Sequence, residues 1–200
     1  MRSTTALLIK EKLQQQKWDF EWDYTKGLMS QNELTTAITG TAGETLESNG
    51  VLLTSLSQPE NRIAVIPPVT FSKKAVMEIT AEFKDIVHSD YGVRWILSDG
   101  DKALQVFVNK NYISVEESDS REVYINSVNI LPVSLNRQYK VRLEFNVDTG
   151  CKVFVDNSLL YNKFAFSKHY ITSGNKFYQQ DGGATLYKSI KYKFFGGDDE

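Results

Sequence analysis

Two glutamates four residues apart are the first groups that could do chemistry. They lie in Glu78-Ile79-Thr80-Ala81-Glu82, where polar and apolar residues alternate. In a strand this period puts both carboxyls and the Thr80 hydroxyl on one face. Two carboxyls on a common face can share the work of glycoside hydrolysis, one as acid and the other as nucleophile or base. The same pattern also describes an ordinary strand with a polar solvent face. Asp19, Glu21 and Asp23 share a strand face as well, and their oxygens suit calcium. A strand spaces alternate residues about 6–7 Å apart, too wide to close on one ion without a loop, so a solvated acidic stripe is the plainer reading. Asp99 and Asp101, flanking Gly100, form a further candidate calcium pair without the ligand density of an EF-hand loop.

The remaining reactive side chains are few. His88 and His169 are far apart with polar neighbours, so neither a Ser-His-Asp set nor a histidine metal site can be assembled from the sequence. Cys151 is alone, which excludes an intramolecular disulfide and a cysteine-rich zinc site. It alternates with Val153 and Val155 and reads as a small buried hydrophobe. Tyrosines offer a different chemistry, because aromatic faces stack on the C–H faces of sugar rings. Tyr112 and Tyr124 fall on the more polar faces of their strands, and Tyr178 falls in the polar stretch Gly174 to Gly183, read as a loop. With Arg94 and Asp99 near the end of the Trp95 strand, they make the candidate ligand-facing set.

The elements that must position these residues are strands. Trp18, Phe20, Trp22 and Tyr24 alternate with acidic residues, and Gly27 stops the run. Weaker strands follow at Glu33–Thr39 and Glu44–Leu46, then Val51–Thr54 and Arg62–Ile66, the last closed by Pro67-Pro68. Val76–Lys84, Tyr91–Leu97, Leu104–Val108, Tyr112–Glu116 and Glu122–Ile130 come next. The clearest hairpin runs from Tyr139 to Val147, turns at Asp148-Thr149-Gly150, and returns through Cys151, Val153 and Val155. Asp156-Asn157 turns again into Leu159-Leu160-Tyr161, and Ala184–Phe195 is the last strand. Ser3–Gln16 is expected to form a short helix or arm, with a narrow stripe of Leu7, Leu8 and Leu13. Residues 1–16, 17–195 and 196–200 are therefore read as N-terminal helix, β-sandwich domain and acidic tail.

Bulk properties narrow the function. The chain has 200 residues, 41% hydrophobic and 24% charged, which suits one globular domain. Lysine plus arginine total 23 against 25 acidic residues, so no basic surface for nucleic acid or an acidic membrane is expected. Lys188, Lys191 and Lys193 read as the solvated side of a strand. Ala6–Ile9 is too short for a signal peptide core and no run reaches membrane-span length. The expectation is cytoplasmic synthesis without a signal peptide, with a place in a virion as the exception.

A dozen short strands separated by turns are the mark of an all-β sandwich or barrel. Several segments together resemble the concanavalin A-like lectin/glucanase jelly rolls, a group that includes laminin G-like modules. They are Trp18-Asp19-Phe20-Glu21-Trp22, Asn49 to Thr54, Val76 to Phe83, Tyr91 to Gly100, and Tyr139 to Tyr161 with its Val153-Phe154-Val155-Asp156-Asn157 turn. The resemblance covers roughly residues 17 to 195 and rests on strand order and turn placement. It implies two stacked, curved antiparallel sheets, with sugar often bound at the concave one. Glucan-cleaving members carry Glu-X-Asp-X-Glu on a strand. Thr80 replaces the central aspartate here, which takes away the carboxylate that helps tune the pair.

Three readings follow. The first is a non-catalytic carbohydrate-binding or receptor-recognition module, in a phage or prophage structural protein, with carbohydrate or a cell-surface glycan as partner and calcium as an optional cofactor. The second is a structural or assembly protein acting through a protein partner or a homo-oligomer. The third is a glycoside hydrolase using Glu78 and Glu82.

Overall fold

The structure is a computed structural model that describes residues 18–40, 42–55, 62–66, 74–86, 92–98, 102–119, 124–146, 148–162, 176–180 and 183–195. Fifteen strands are formed by these residues: β1 (Phe20–Asp23), β2 (Thr35–Thr39), β3 (Gly43–Glu47), β4 (Gly50–Ser55), β5 (Arg62–Ile66), β6 (Lys74–Ile86), β7 (Val93–Ser98), β8 (Lys102–Val108), β9 (Tyr112–Asp119), β10 (Tyr124–Pro132), β11 (Gln138–Asn146), β12 (Gly150–Val155), β13 (Ser158–Asn162), β14 (Lys176–Gln180) and β15 (Gly183–Phe195). They pair into two antiparallel sheets. One has eight strands in the order β13-β12-β11-β6-β15-β4-β3, with β1 also paired to β15; the other has seven, ordered β10-β9-β8-β7-β14-β5-β2.

Period-two alternation explains how the sheets stack. In β6, Ala75, Met77, Ile79, Ala81 and Phe83 join the core, as do Tyr139, Val141, Leu143 and Phe145 of β11. From the facing sheet come Val93 and Trp95 of β7, Leu104, Val106 and Val108 of β8, and Ile113 and Val115 of β9. Burying each large side chain of this kind contributes about 1.5–3 kcal/mol. The sheets also meet through polar and aromatic contacts. Trp95 Nε1 donates to the Tyr187 hydroxyl at 3.3 Å, and the Phe83 and Trp95 rings lie 6.1 Å apart.

Turn chemistry is local and follows the sequence. Asp156 and Asn157 both take positive φ, 50° and 67°, as a two-residue hairpin of the type favoured by strand twist requires. Asn146 Oδ1 accepts from the Asp148 and Thr149 amides at 2.8 and 3.3 Å, and Gly150 takes φ 84°. Asn109 Oδ1 likewise accepts from the Asn111 and Tyr112 amides, at 2.8 and 2.9 Å. Gly92 is needed for packing: a Cβ there would lie 2.1 Å from the Val108 carbonyl oxygen.

The expected all-β, two-sheet sandwich is the observed architecture, with two differences in its elements. The stretch around Tyr178 is no loop; β14 runs through the seven-stranded sheet between β7 and β5. The first strand is shorter than its alternation suggests. Asp23 accepts from the Thr25 amide at 2.9 Å and caps a 3-10 turn at Tyr24–Lys26, which draws the chain out of the sheet before Gly27. The helix expected at residues 3–16 lies outside the described residues, whose helical content is two 3-10 turns. The acidic tail, residues 196–200, also lies outside them.

Candidate functional site

The outer face of the seven-stranded sheet carries an unusual set of buried polar groups. Arg94, Ile96, Gln105, Phe107, Ser114 and Glu116 alternate with core residues and so point away from the core. Strand register lines them up in two neighbouring rows. One row runs Tyr178, Arg94, Phe107, Ser114, Asn129 across β14, β7, β8, β9 and β10; the next runs Lys176, Ile96, Gln105, Glu116, Ser127. An outward face is normally wet, yet Gln105 is 4% exposed, Ser114 2% and Glu116 9%.

These groups are wired to one another. Gln105 Nε2 donates to Glu116 Oε2 at 2.6 Å, and Ser114 Oγ donates to the Phe107 carbonyl at 3.3 Å. The Arg94 guanidinium lies over the Phe107 ring, 4.6 Å from its centroid, a cation–π arrangement. Burial pushes the Glu116 carboxyl above the usual carboxylate range, against the Arg94 charge and the Gln105 hydrogen bond, which pull the other way. The face thus presents a cation on an aromatic ring beside an amide–carboxyl pair.

Of the expected ligand-facing residues, Arg94 is in this set and Tyr178 is its register partner. Tyr112 opens β9 two residues before Ser114 on the same face and is 41% exposed. Tyr124 pairs with Ser118 at the far end of β9. Asp99 and Asp101 lie outside the described residues, as do His88 and His169. Sequence reasoning missed Gln105, Ser114 and Glu116. In β9 the signal was Ser114 and Glu116 alternating with Ile113 and Val115; in β8 Gln105 stands between Ala103 and Phe107 on its face, and its sequence carries no comparable signal.

Glu78 and Glu82 do share a face, the outer one of the eight-stranded sheet, but both are held by lysines. Lys140 Nζ lies 3.0 Å from Glu78 Oε1, and Lys188 Nζ lies 3.5 Å from Glu82 Oε2, with Lys84 on the other Glu82 oxygen. The Lys84 hydrogen bond, outweighing desolvation, holds the Glu82 carboxyl below its usual range. A general acid needs the opposite shift. The acidic stripe is similarly engaged. Lys193 Nζ lies 3.0 Å from Asp19 Oδ1, Lys191 pairs with Glu21, and Asp23 caps its turn. Lys188, Lys191 and Lys193 are therefore the partners of acidic residues, more than a solvated edge. Among the described residues no three of His, Cys, Asp and Glu converge to hold a metal ion. Cys151 is buried, and burial pushes its thiol far above the usual range, leaving it inert as a nucleophile.

No protein-family profile matches the chain, and no curated protein matches it. Solved structures do. A sialidase superposes with a TM-score of 0.70 at 12% identity over 90% of this chain, which spans 19% of that protein. The carbohydrate recognition domain of Emp46p, in its metal-free form, matches with a TM-score of 0.56 at 12% identity over 80% of this chain and 87% of that one. The carbohydrate-binding module CBM66 from Bacillus subtilis matches with a TM-score of 0.54 at 15% identity over 81% of this chain and 96% of that one. At these identities the likeness is one of fold alone: this chain shares the two-sheet antiparallel sandwich of those domains, consistent with the concanavalin A-like fold that the sequence resemblance implies.

Proposed function

We propose that the chain is a non-catalytic binding module that recognises carbohydrate on the outer face of its seven-stranded sheet. The observation that carries this reading is the buried Gln105–Glu116 pair beside Arg94 and Phe107. The partly exposed Arg94 guanidinium matches the hydroxyls of a sugar and the exposed Tyr112 ring matches its C–H face, with the buried Gln105–Glu116 pair beside Arg94 and Phe107. Structural neighbours named as carbohydrate recognition or carbohydrate-binding domains support the same ligand class. A phage or prophage setting finds no support among them. Hydrolysis at Glu78 and Glu82 is disfavoured by the lysines that pair with both carboxylates.

The test is a glycan-array screen of the purified protein, with and without calcium. Binding to a defined glycan class is expected, with a loss of about tenfold or more in Arg94→Met, as for removal of a charge-assisted hydrogen bond. No binding in either condition would overturn the carbohydrate reading. Binding unchanged in both Arg94→Met and Tyr112→Ala would move the ligand off this face.

A further inference from the structure

The eight-stranded sheet has an opening of its own, at the edge of β1. Among the described residues β1 pairs with β15 and with no other strand. A cavity of about 600 Å³ lies beside it, and four consecutive residues, 19–22, form one wall. Successive side chains leave a strand on opposite faces. A cavity lined by all four, and by no residue of β15, therefore runs along the free edge of β1 and not over either face. Gln31, Asn32 and Glu33 line it too, and Lys26 reaches β1 by donating to the Glu21 carbonyl.

The segment that carries Gln31 to Glu33 is held in place by hydrogen bonds. Asn32 Nδ2 donates to the Lys26 and Leu28 carbonyls at 3.2 and 2.6 Å, and Trp22 Nε1 donates to the Gly27 carbonyl at 3.2 Å. The Glu44 carboxylate accepts from the Met29 and Ser30 amides. A wall fixed in advance lowers the ordering cost of binding. The charges of the lining balance. Asp19 is paired with Lys193 at 3.0 Å and Glu21 with Lys191, which leaves one ammonium, Lys26, and one carboxylate, Glu33. The exposed side chains of Gln31 and Glu33 have no hydrogen-bond or ion-pair partner among the described residues.

We propose that this cavity is a second binding site, one that takes a neutral polyhydroxylated ligand of the size of a mono- or disaccharide. A sugar hydroxyl both donates and accepts. The lining answers with acceptors in the Glu33 carboxylate and Asn32 Oδ1, a donor in the Lys26 ammonium, and an amide that does both in Gln31. With the charges balanced, an ion gains little there. The volume lies within the roughly 300–1,000 Å³ of small-molecule sites. An added peptide strand is the other occupant that an open strand edge invites. Lys26 opposes it by taking the Glu21 carbonyl, an acceptor on that edge. The site shares no residue with the seven-stranded face and stands or falls apart from the function proposed there.

The isotope-labelled protein is titrated with glucose, galactose, fructose, maltose and lactose, and with sulfate and spermidine as charged probes at constant ionic strength. Magnetic resonance shifts of the Gln31 to Glu33 backbone amides and of the Gln31 and Asn32 side-chain amides give location, and their saturation gives affinity. At least one sugar should shift these signals saturably, while sulfate and spermidine do not. Gln31→Ala with Glu33→Ala changes two exposed side chains. It should weaken that binding about tenfold or more, with the circular dichroism spectrum unchanged, and Arg94→Met should leave it intact. No saturable shift with any sugar would overturn the proposal. So would a response to spermidine or sulfate alone, full affinity in the double variant, or loss of binding in Arg94→Met. A glycan-array signal that depends on Arg94 while these amides stay still would sustain the seven-stranded face and sink the cavity.

Discussion

Replacing Tyr187 by Phe removes one oxygen from the middle of the protein and tests how the two sheets are joined. Tyr187 in β15 and Trp95 in β7 are both fully buried, and the indole Nε1–H donates to the tyrosine hydroxyl across the sandwich. The ring stays in Tyr187→Phe, so no large cavity forms. The indole N–H loses the acceptor it has, and a buried donor left unsatisfied costs about 1–3 kcal/mol. The 3.3 Å separation is at the long end for an N–H···O bond, and loss of the hydroxyl also relieves its own desolvation. Both considerations put the expected loss at about 1–2 kcal/mol. In a chain of this size that lowers the melting temperature by about 2–8 °C. Guanidinium unfolding followed by tryptophan fluorescence gives the free energy, and calorimetry gives the temperature. A variant within about 0.3 kcal/mol of the parent, the scatter expected between unrelated sites, would refute the inter-sheet hydrogen bond as a source of stability.

Two more outcomes follow from the same structure. Burial raises the Glu116 carboxyl above its usual value of 4.5, so the folded state binds this proton more tightly than the unfolded one. Its contribution to stability is complete below that usual value and is lost as pH rises through the folded value. Glu116→Gln lacks this loss. It should gain on the parent in urea unfolding between mildly acidic and neutral pH, and a pH-independent difference would contradict the raised carboxyl. Gly92→Ala puts a Cβ 2.1 Å from the Val108 carbonyl oxygen, a backbone atom that cannot swing aside. A loss of about 1–3 kcal/mol is expected in thermal unfolding, and an unchanged melting temperature would show that β7 and β8 do not approach so closely there.

Local pattern settled much of this protein. Period-two alternation in Val76–Lys84, Leu104–Val108 and Tyr139–Phe145 assigned core and outer residues as the structure has them, because side chains in a strand alternate whatever its neighbours are. The turns at Asp148-Thr149-Gly150 and Asp156-Asn157 were legible for a similar reason: residues that adopt positive φ cheaply mark them. Tertiary structure decided what local pattern leaves free. Lys176–Gln180 looks like a polar loop, and its strand exists because β5 and β7 supply hydrogen-bond partners on both sides. That pairing brings Tyr178 opposite Arg94. The acidic stripe at Asp19–Asp23 and the lysines of β15 lie about 170 residues apart in sequence, and only the β1–β15 pairing joins them. Likewise Gln105 and Glu116 each read as a polar residue on a solvated face. Their hydrogen bond comes from the register between β8 and β9, which sets the two side chains opposite each other. Alternation states that a strand has two faces, but register and sheet order are long-range and decide which face meets which partner.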